Sequence, residues 1–230
     1  MNKENVLFGI IGLLAGLIIG FMFANSINQG AILNSPAGVA TQGPNAPQGA
    51  PAASGENLPE VQAAIDTARK EKDNFAAQIK AAELYTQIQR YDGAIEFLTR
   101  ANQLQPDNYA VIVQLGNANF DSNNYLEADK WYSAALEKKP DDVNVRTDLG
   151  LTFMFRQTPD FERAIKEFTQ SLSVNPKHTQ TLQNLTVAYT KTGNAEKAKE
   201  TLARLEAEDP TNAALAQLKA DIQKLGTPGS

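Results

Sequence analysis

Four prolines divide the carboxy-terminal part of this chain at near-constant intervals: Pro106, Pro140, Pro176 and Pro210 are separated by 34, 36 and 34 residues. A period of this size is the mark of stacked supersecondary units rather than of one globular core. Each proline closes the same upstream pattern of small, large and small residues. The copies read Ala94…Leu98…Ala101, Ala128…Tyr132…Ala135, Ala164…Phe168…Ser171 and Ala198…Leu202…Leu205. A second motif lies further upstream in each copy: Ala81-Ala82…Tyr85, Leu115-Gly116…Asn119, Leu149-Gly150…Phe153 and Leu185-Thr186…Tyr189. Steps of three and four residues place each motif on one helix face, so each period holds two helices. Small residues such as Gly116, Gly150, Ala128 and Ala164 allow the paired helices to cross closely. Leu115, Tyr132, Leu149 and Phe168 fill the space around the crossing. The proline ends the second helix, because it cannot donate to the helical ladder.

This pattern resembles the tetratricopeptide repeat (TPR), a 34-residue helix–turn–helix unit, over residues 75–212. The resemblance implies an all-α, right-handed superhelix of four repeats, at about 75–108, 109–142, 143–178 and 179–212. Three departures stand out. The first copy has Gln78 and Ala81 where large apolar residues are usual, as expected of an end repeat packed on something upstream. The second has Asn119 in place of an aromatic. The third carries two extra residues in its inter-helix turn, around Arg156 to Asp160, where Pro159 cannot continue the first helix. Flanking helices are expected on both sides, completing a domain over 58–226. Leu58 to Phe75 places Val61, Ile65 and Ala68 at helical spacing, with Pro59 at the helix start. Ala213 to Leu225 aligns Leu215, Leu218, Ile222 and Leu225 before Gly226, as a capping helix over 213–225.

In this family the first helix of each repeat lines a concave groove. That face in the second repeat is Val113, Asn117, Phe120 and Asp121. In the third it is Thr147, Leu151, Met154 and Phe155, and in the fourth Gln183, Val187, Thr190 and Lys191, with Asn184 beside them. The expected peptide groove is therefore built from Val113, Asn117, Phe120, Leu151, Met154, Phe155, Asn184 and Val187. One helix cannot turn all of Phe153-Met154-Phe155 into one core. Phe153 matches the buried motif, which sends Met154 and Phe155 either into the groove or beneath the long third-repeat turn. Apolar pockets beside amides suit an extended peptide, whose backbone needs hydrogen-bond partners. Relatives that clamp a terminal carboxylate use basic groove residues. Val113, Thr147 and Leu151 take those places here, so that mode is not expected.

The amino-terminal quarter reads differently. Residues 6–24 carry no charge, and a 19-residue helix spans about 28 Å, close to the ~30 Å hydrocarbon core of a bilayer. This is expected to be a transmembrane anchor, the first segment (1–24) of the chain. Ala24-Asn25-Ser26 resembles a signal cleavage site, so a secreted soluble binder is the rival reading. Lys3 is the only basic residue before Arg69, which favours a cytoplasmic amino terminus with the repeats periplasmic, outside a bacterial inner membrane. Gly12, Gly16 and Gly20 form a GxxxG face on which a second helix could pack. Residues 25–57, rich in Asn, Gln, Gly, Ala and Pro, are expected to be a disordered spacer with a reach of about 30 Å.

Composition narrows the function. The chain has no Cys, a single His and a net charge of −5, which disfavour thiol chemistry, multi-histidine metal sites and nucleic-acid binding. Among smaller features, His178 reads as a solvated surface residue, Asp141-Asp142 as helix caps, and Trp131 as packing between neighbouring second helices. No catalytic, cofactor or metal residue is expected. The chain reads as a membrane-tethered scaffold for protein or peptide partners. Its layout is similar to the TPR factors of cytochrome c maturation and to secretion-channel ancillary factors. A homo-oligomeric self-assembler, joined through the glycine face and stacked repeats, is the alternative.

Overall fold

Pro-x-Asn or Pro-x-Asp between repeats acts as a paired stop and start signal. The proline ends one helix, and the polar residue two places on opens the next. The computed structural model describes residues 59–225. The expected span 6–24 with Gly12, Gly16 and Gly20, the spacer 25–57, Leu58 and Gly226 lie outside the described residues. Among the described residues no helix is long and apolar enough to cross a membrane.

Ten helices are present among the described residues. Helix α1 (Pro59–Lys70) precedes four pairs: α2 (Phe75–Gln87) with α3 (Tyr91–Leu104), α4 (Tyr109–Asp121) with α5 (Tyr125–Lys138), α6 (Val143–Phe155) with α7 (Phe161–Val174), and α8 (Thr179–Lys191) with α9 (Ala195–Glu208). Helix α10 (Leu215–Leu225) follows. Each helix packs on its sequence neighbours, and α6 also touches α8, as α8 touches α10. Three first helices have side-chain amino caps. Asn74, Asn108 and Asp142 accept from the amides of Ala77, Val111 and Val145 at 3.1, 3.3 and 3.0 Å.

The turn inside a repeat is equally regular. Gln89, Asn123 and Gly193 adopt left-handed φ values of 58°, 64° and 74° at equivalent places. The third repeat departs as expected: five residues, 156–160, join α6 to α7, against three, 122–124, between α4 and α5. The longer turn is fastened by an Arg156–Asp129 ion pair, and Arg156 and Arg163 each lie 4.4 Å from the Phe153 ring centre.

The small-against-large rule holds at atomic scale. A Cβ on Gly116 would lie 2.5 Å from Tyr132, and one on Gly150 would lie 2.4 Å from Phe168. Tyr132, Phe168, Leu115, Ala128 and Ala164 are all buried. Asn119 is buried too, donating its amide to the Leu115 carbonyl at 2.8 Å. Trp131 packs on the cluster formed by α1 to α4.

Both flanking helices differ from expectation at one end. Helix α1 stops at Lys70 rather than Phe75, and Phe75 instead opens α2. The cause is Gln78, fully buried, whose amide donates to the Ala68 and Glu71 carbonyls at 2.8 and 3.0 Å. It thereby takes up the Ala68 carbonyl in the last turn of α1 and shares the Glu71 carbonyl with the Asn74 amide. A large apolar residue there could not do this, which accounts for the first repeat's departure. Val61, Ile65 and Ala68 are buried, as expected. Helix α10 begins at Leu215 rather than Ala213; Leu215, Leu218 and Ile222 are buried, but Leu225, its last residue, is exposed.

Candidate ligand groove

On α4 and α8 a stripe recurring at three- and four-residue steps escapes burial, and on α6 the stripe is interrupted at the buried Leu151. In α4 it is Val113, Gln114, Asn117 and Asp121, and in α6 Asn144, Asp148, Met154 and Phe155. In α8 it is Gln183, Asn184, Val187, Thr190 and Lys191. The buried residues of α4, α6 and α8 include Leu115, Leu149 and Leu185, and each of these helices packs on the second helix of its own repeat.

Five of the eight expected groove residues, Val113, Asn117, Met154, Asn184 and Val187, are half-buried on this face. Phe155 is half-buried as well but is engaged within the protein. Its ring lies edge-on to Phe120 with centres 5.9 Å apart, and stacks on Tyr125 at 6.2 Å. Phe120 also meets Tyr125 edge-on at 5.3 Å. The cluster joins the second repeat to the third, so Phe155 is neither a free groove contact nor packed beneath the long turn.

Two expected contacts need correcting. Phe120 and Leu151 are only 8% and 7% exposed. Phe120 is covered by Tyr125 and Phe155. Leu151 lies in the middle of α6, which packs on α5, α7 and α8. These two residues are packed inside the array rather than exposed on that face.

Thr147, also expected on this face, is fully buried. Its hydroxyl donates to the Val143 carbonyl at 2.7 Å and meets the hydroxyls of Thr181 at 2.6 Å and Ser171 at 3.1 Å. His178 extends this cluster, with Nδ1 2.6 Å from Thr181 Oγ1. It is half-buried at the start of α8, not solvated as the sequence suggested, and burial lowers its pKa.

Asn117 is held in place. The Tyr132 hydroxyl donates to its Oδ1 at 2.9 Å, which leaves the amide nitrogen to donate elsewhere. Two half-buried carboxylates also lie on these helices, Asp121 on α4 and Asp148 on α6. Asp121 was recognised on the face, whereas Asp148, directly before the Leu149-Gly150 motif, was not. Stepping three residues back from Leu151 would have reached it. Burial pushes the Asp121 carboxyl up to about 6. Asp148 is raised to about 7, first by burial and then by the negative charges of Asp142 and Asp121. Burial and the same two carboxylates, Asp148 and Asp121, push the Tyr132 hydroxyl well above its ordinary value. Tyr91 and Tyr125 are raised by burial and by Asp121.

The comparisons agree with this architecture. A family model described as tetratricopeptide repeat matches residues 86–147 and 158–222. The fold is similar to the crystal structure of MamA protein, with a TM-score of 0.59 and 20% identity over 66% of this chain and 82% of that one. It is also similar to YrrB, described as a TPR protein with an unusual peptide-binding site, with a TM-score of 0.61 and 19% identity over 70% of this chain and 84% of that one. A tetratricopeptide repeat protein from Parabacteroides merdae gives a TM-score of 0.60 and 18% identity over 66% of this chain and 60% of that one. No curated protein sequence matches the chain. With the family model covering more than half of its length, and with paired helices that meet through Gly116–Tyr132 and Gly150–Phe168, this chain belongs to the tetratricopeptide repeat family.

Proposed function

We propose that this protein is a non-catalytic interaction scaffold that holds extended peptide segments of partner proteins against the face formed by α4, α6 and α8. The observation that carries the reading is Asn117. Its amide is oriented by Tyr132 at 2.9 Å and has a donor to spare, one helical turn from the half-buried apolar side chain of Val113. An extended backbone needs donors of this kind, and apolar pockets add affinity. A peptide-binding site is also ascribed to YrrB, whose fold is similar.

The scaffold would be tethered. Residues 6–24 would anchor it in a bacterial cytoplasmic membrane with the amino terminus inside, and residues 25–57 would let the repeats reorient outside. There it would serve an assembly process such as cytochrome c maturation or secretion.

A photocrosslinking residue at Met154, introduced in living cells, tests the groove. One defined polypeptide should be captured, and Asn117→Ala should reduce its yield. Labelling no different from that at an exposed residue of α9 overturns the reading. Reporter fusions at the carboxy terminus test the tether, and activity only in the cytoplasm overturns that placement.

A further inference from the structure

We propose that the joint between the third and fourth repeats is a pH-sensitive hinge. In it His178 donates to Thr181 through Nδ1, and a second proton taken up at Nε2 as the pH falls loosens α8 and α9 from α6 and α7.

One register place opens every first helix. Asn74, Asn108 and Asp142 fill it for α2, α4 and α6, and each caps its helix through a side-chain oxygen. His178 fills it for α8, and its side chain makes no capping bond. The ring turns instead to Thr181, with Nδ1 2.6 Å from the hydroxyl. The residues it joins depart from the repeat pattern as well. Thr147, Ser171 and Thr181 are fully buried at this joint and lie within 2.6 to 3.2 Å of one another. One joint earlier the same register holds Val113, Ala135 and Val145, and before that Ile79, Ala101 and Val111. Three places that are apolar at both earlier joints therefore carry hydroxyls where the cap place holds an imidazole.

Each hydroxyl has one proton, which sets the direction of donation. Thr147 gives its proton to the Val143 carbonyl at 2.7 Å, so at the 2.6 Å contact between Thr147 and Thr181 it is Thr181 that donates. Thr181 then has no proton left for His178, and Nδ1 is the donor. The neutral ring carries its proton on Nδ1, and further protonation falls on Nε2. That second proton charges a half-buried ring at the start of α8, the positive end of the helix dipole.

Burial lowers the His178 pKa from its ordinary 6.5, and nearby Asp142 favours the charged ring less than burial opposes it. The unfolded chain takes the proton more readily, so the joint is intact above about pH 6.5 and weakens below it. Asp142 is itself engaged, accepting from the Val145 amide at 3.0 Å and the Tyr109 hydroxyl at 2.6 Å. Around the joint, Arg146 pairs with Glu167, Lys177 with Glu208, and Arg204 donates to the Pro176 carbonyl. Asp221 of α10 acts on Lys191, at the far end of α8. Asp148, next to Thr147 in α6, titrates with the opposite sign, since burial raises it.

The test uses the full chain in detergent micelles, where a single histidine makes the imidazole signals unambiguous. Nitrogen-15 spectra of the neutral ring should show the proton on Nδ1 and a bare Nε2. Amide exchange, corrected for its intrinsic pH dependence, should show α8 and α9 losing protection several-fold relative to α2 and α3 between pH 7.5 and 5.5. His178→Asn supplies the cap residue of α2 and α4 and should abolish that loss, whereas Asp148→Asn should leave it in place. Unaltered helical circular dichroism at pH 7.5 shows that each variant folds. Should His178→Asn not fold, the wild-type spectra decide: the amides of residues 179–182 must shift with the midpoint of the ring. A neutral ring protonated on Nε2 overturns the proposal, as do amides that ignore the ring, equal relative protection at both pH values, a loss that survives His178→Asn, or one that vanishes in Asp148→Asn. None of these outcomes depends on whether α8 holds a peptide.

Discussion

Gly150 and Phe168 fill one space between them: a Cβ on Gly150 would lie 2.4 Å from Phe168 Cε1 and 2.8 Å from Cδ1. Phe168 is fully buried, so its ring has nowhere to retreat. Where the second-helix residue is smaller, the first helix carries a larger partner, as with Ala82 and Leu98 or Thr186 and Leu202.

Gly150→Ala should therefore destabilise the domain by about 1–3 kcal/mol through overpacking, partly offset by about 1 kcal/mol of helix propensity. Phe168→Leu added to it should recover part of the loss. Thermal unfolding of the two variants checks this, and a second substitution that only worsens stability would count against the shared space.

Arg146 and Glu167 form an ion pair at 2.9 Å with side chains only 10% and 14% exposed, and Arg146 also donates to the Pro140 carbonyl at 2.8 Å. Arg146→Met alone should cost about 3 kcal/mol, because Glu167 is left buried without its partner. Arg146→Met with Glu167→Leu should cost less than the single change. Denaturant unfolding distinguishes these outcomes.

The hydroxyls of Thr147, Ser171 and Thr181 tie the third repeat to the fourth. Thr147→Val should cost about 1 kcal/mol, since Thr181 still meets Ser171 at 3.2 Å and His178 at 2.6 Å. Thr181→Val removes a contact from all three neighbours and should cost about twice as much. Amide exchange should speed up first in α8 and α9, and uniform loss of protection would contradict a local tie.

Asp148 makes stability depend on pH. Its folded pKa of about 7 lies above the unfolded value of about 3.9, so the folded state holds the proton more tightly. Stability from this group is greatest at low pH and is lost as pH rises from about 4 through about 7. Asp121, raised to about 6, acts in the same direction, while His178, lowered by burial, opposes both as pH falls. Asp148→Asn should raise Tm at pH 8, by about 2–4 °C for each kcal/mol gained, and flatten the Tm profile between pH 8 and 5. An unchanged profile would exclude Asp148 as the source.

The repeat boundaries were legible because their signals are local. Proline stops a helix wherever it falls, and Asn108 and Asp142 cap through bonds only three residues long. The end of α1 was not legible, since it depends on Gln78 reaching back 10 residues to Ala68. The groove was half legible. Helical stepping found the face, but it could not show that Phe155 would turn onto Phe120 and Tyr125 of the preceding repeat, burying Phe120.

Spacing and residue size alone determined that this chain forms paired helices, where one repeat gives way to the next, and which small residue meets which large one. Those relations act within a repeat, across a few tens of residues. Only the tertiary structure decided which side chains of that face stay accessible, and that Asp148 is enclosed enough for burial to raise its pKa. Exposure and electrostatic environment depend on how neighbouring repeats are placed, and no single repeat contains that information.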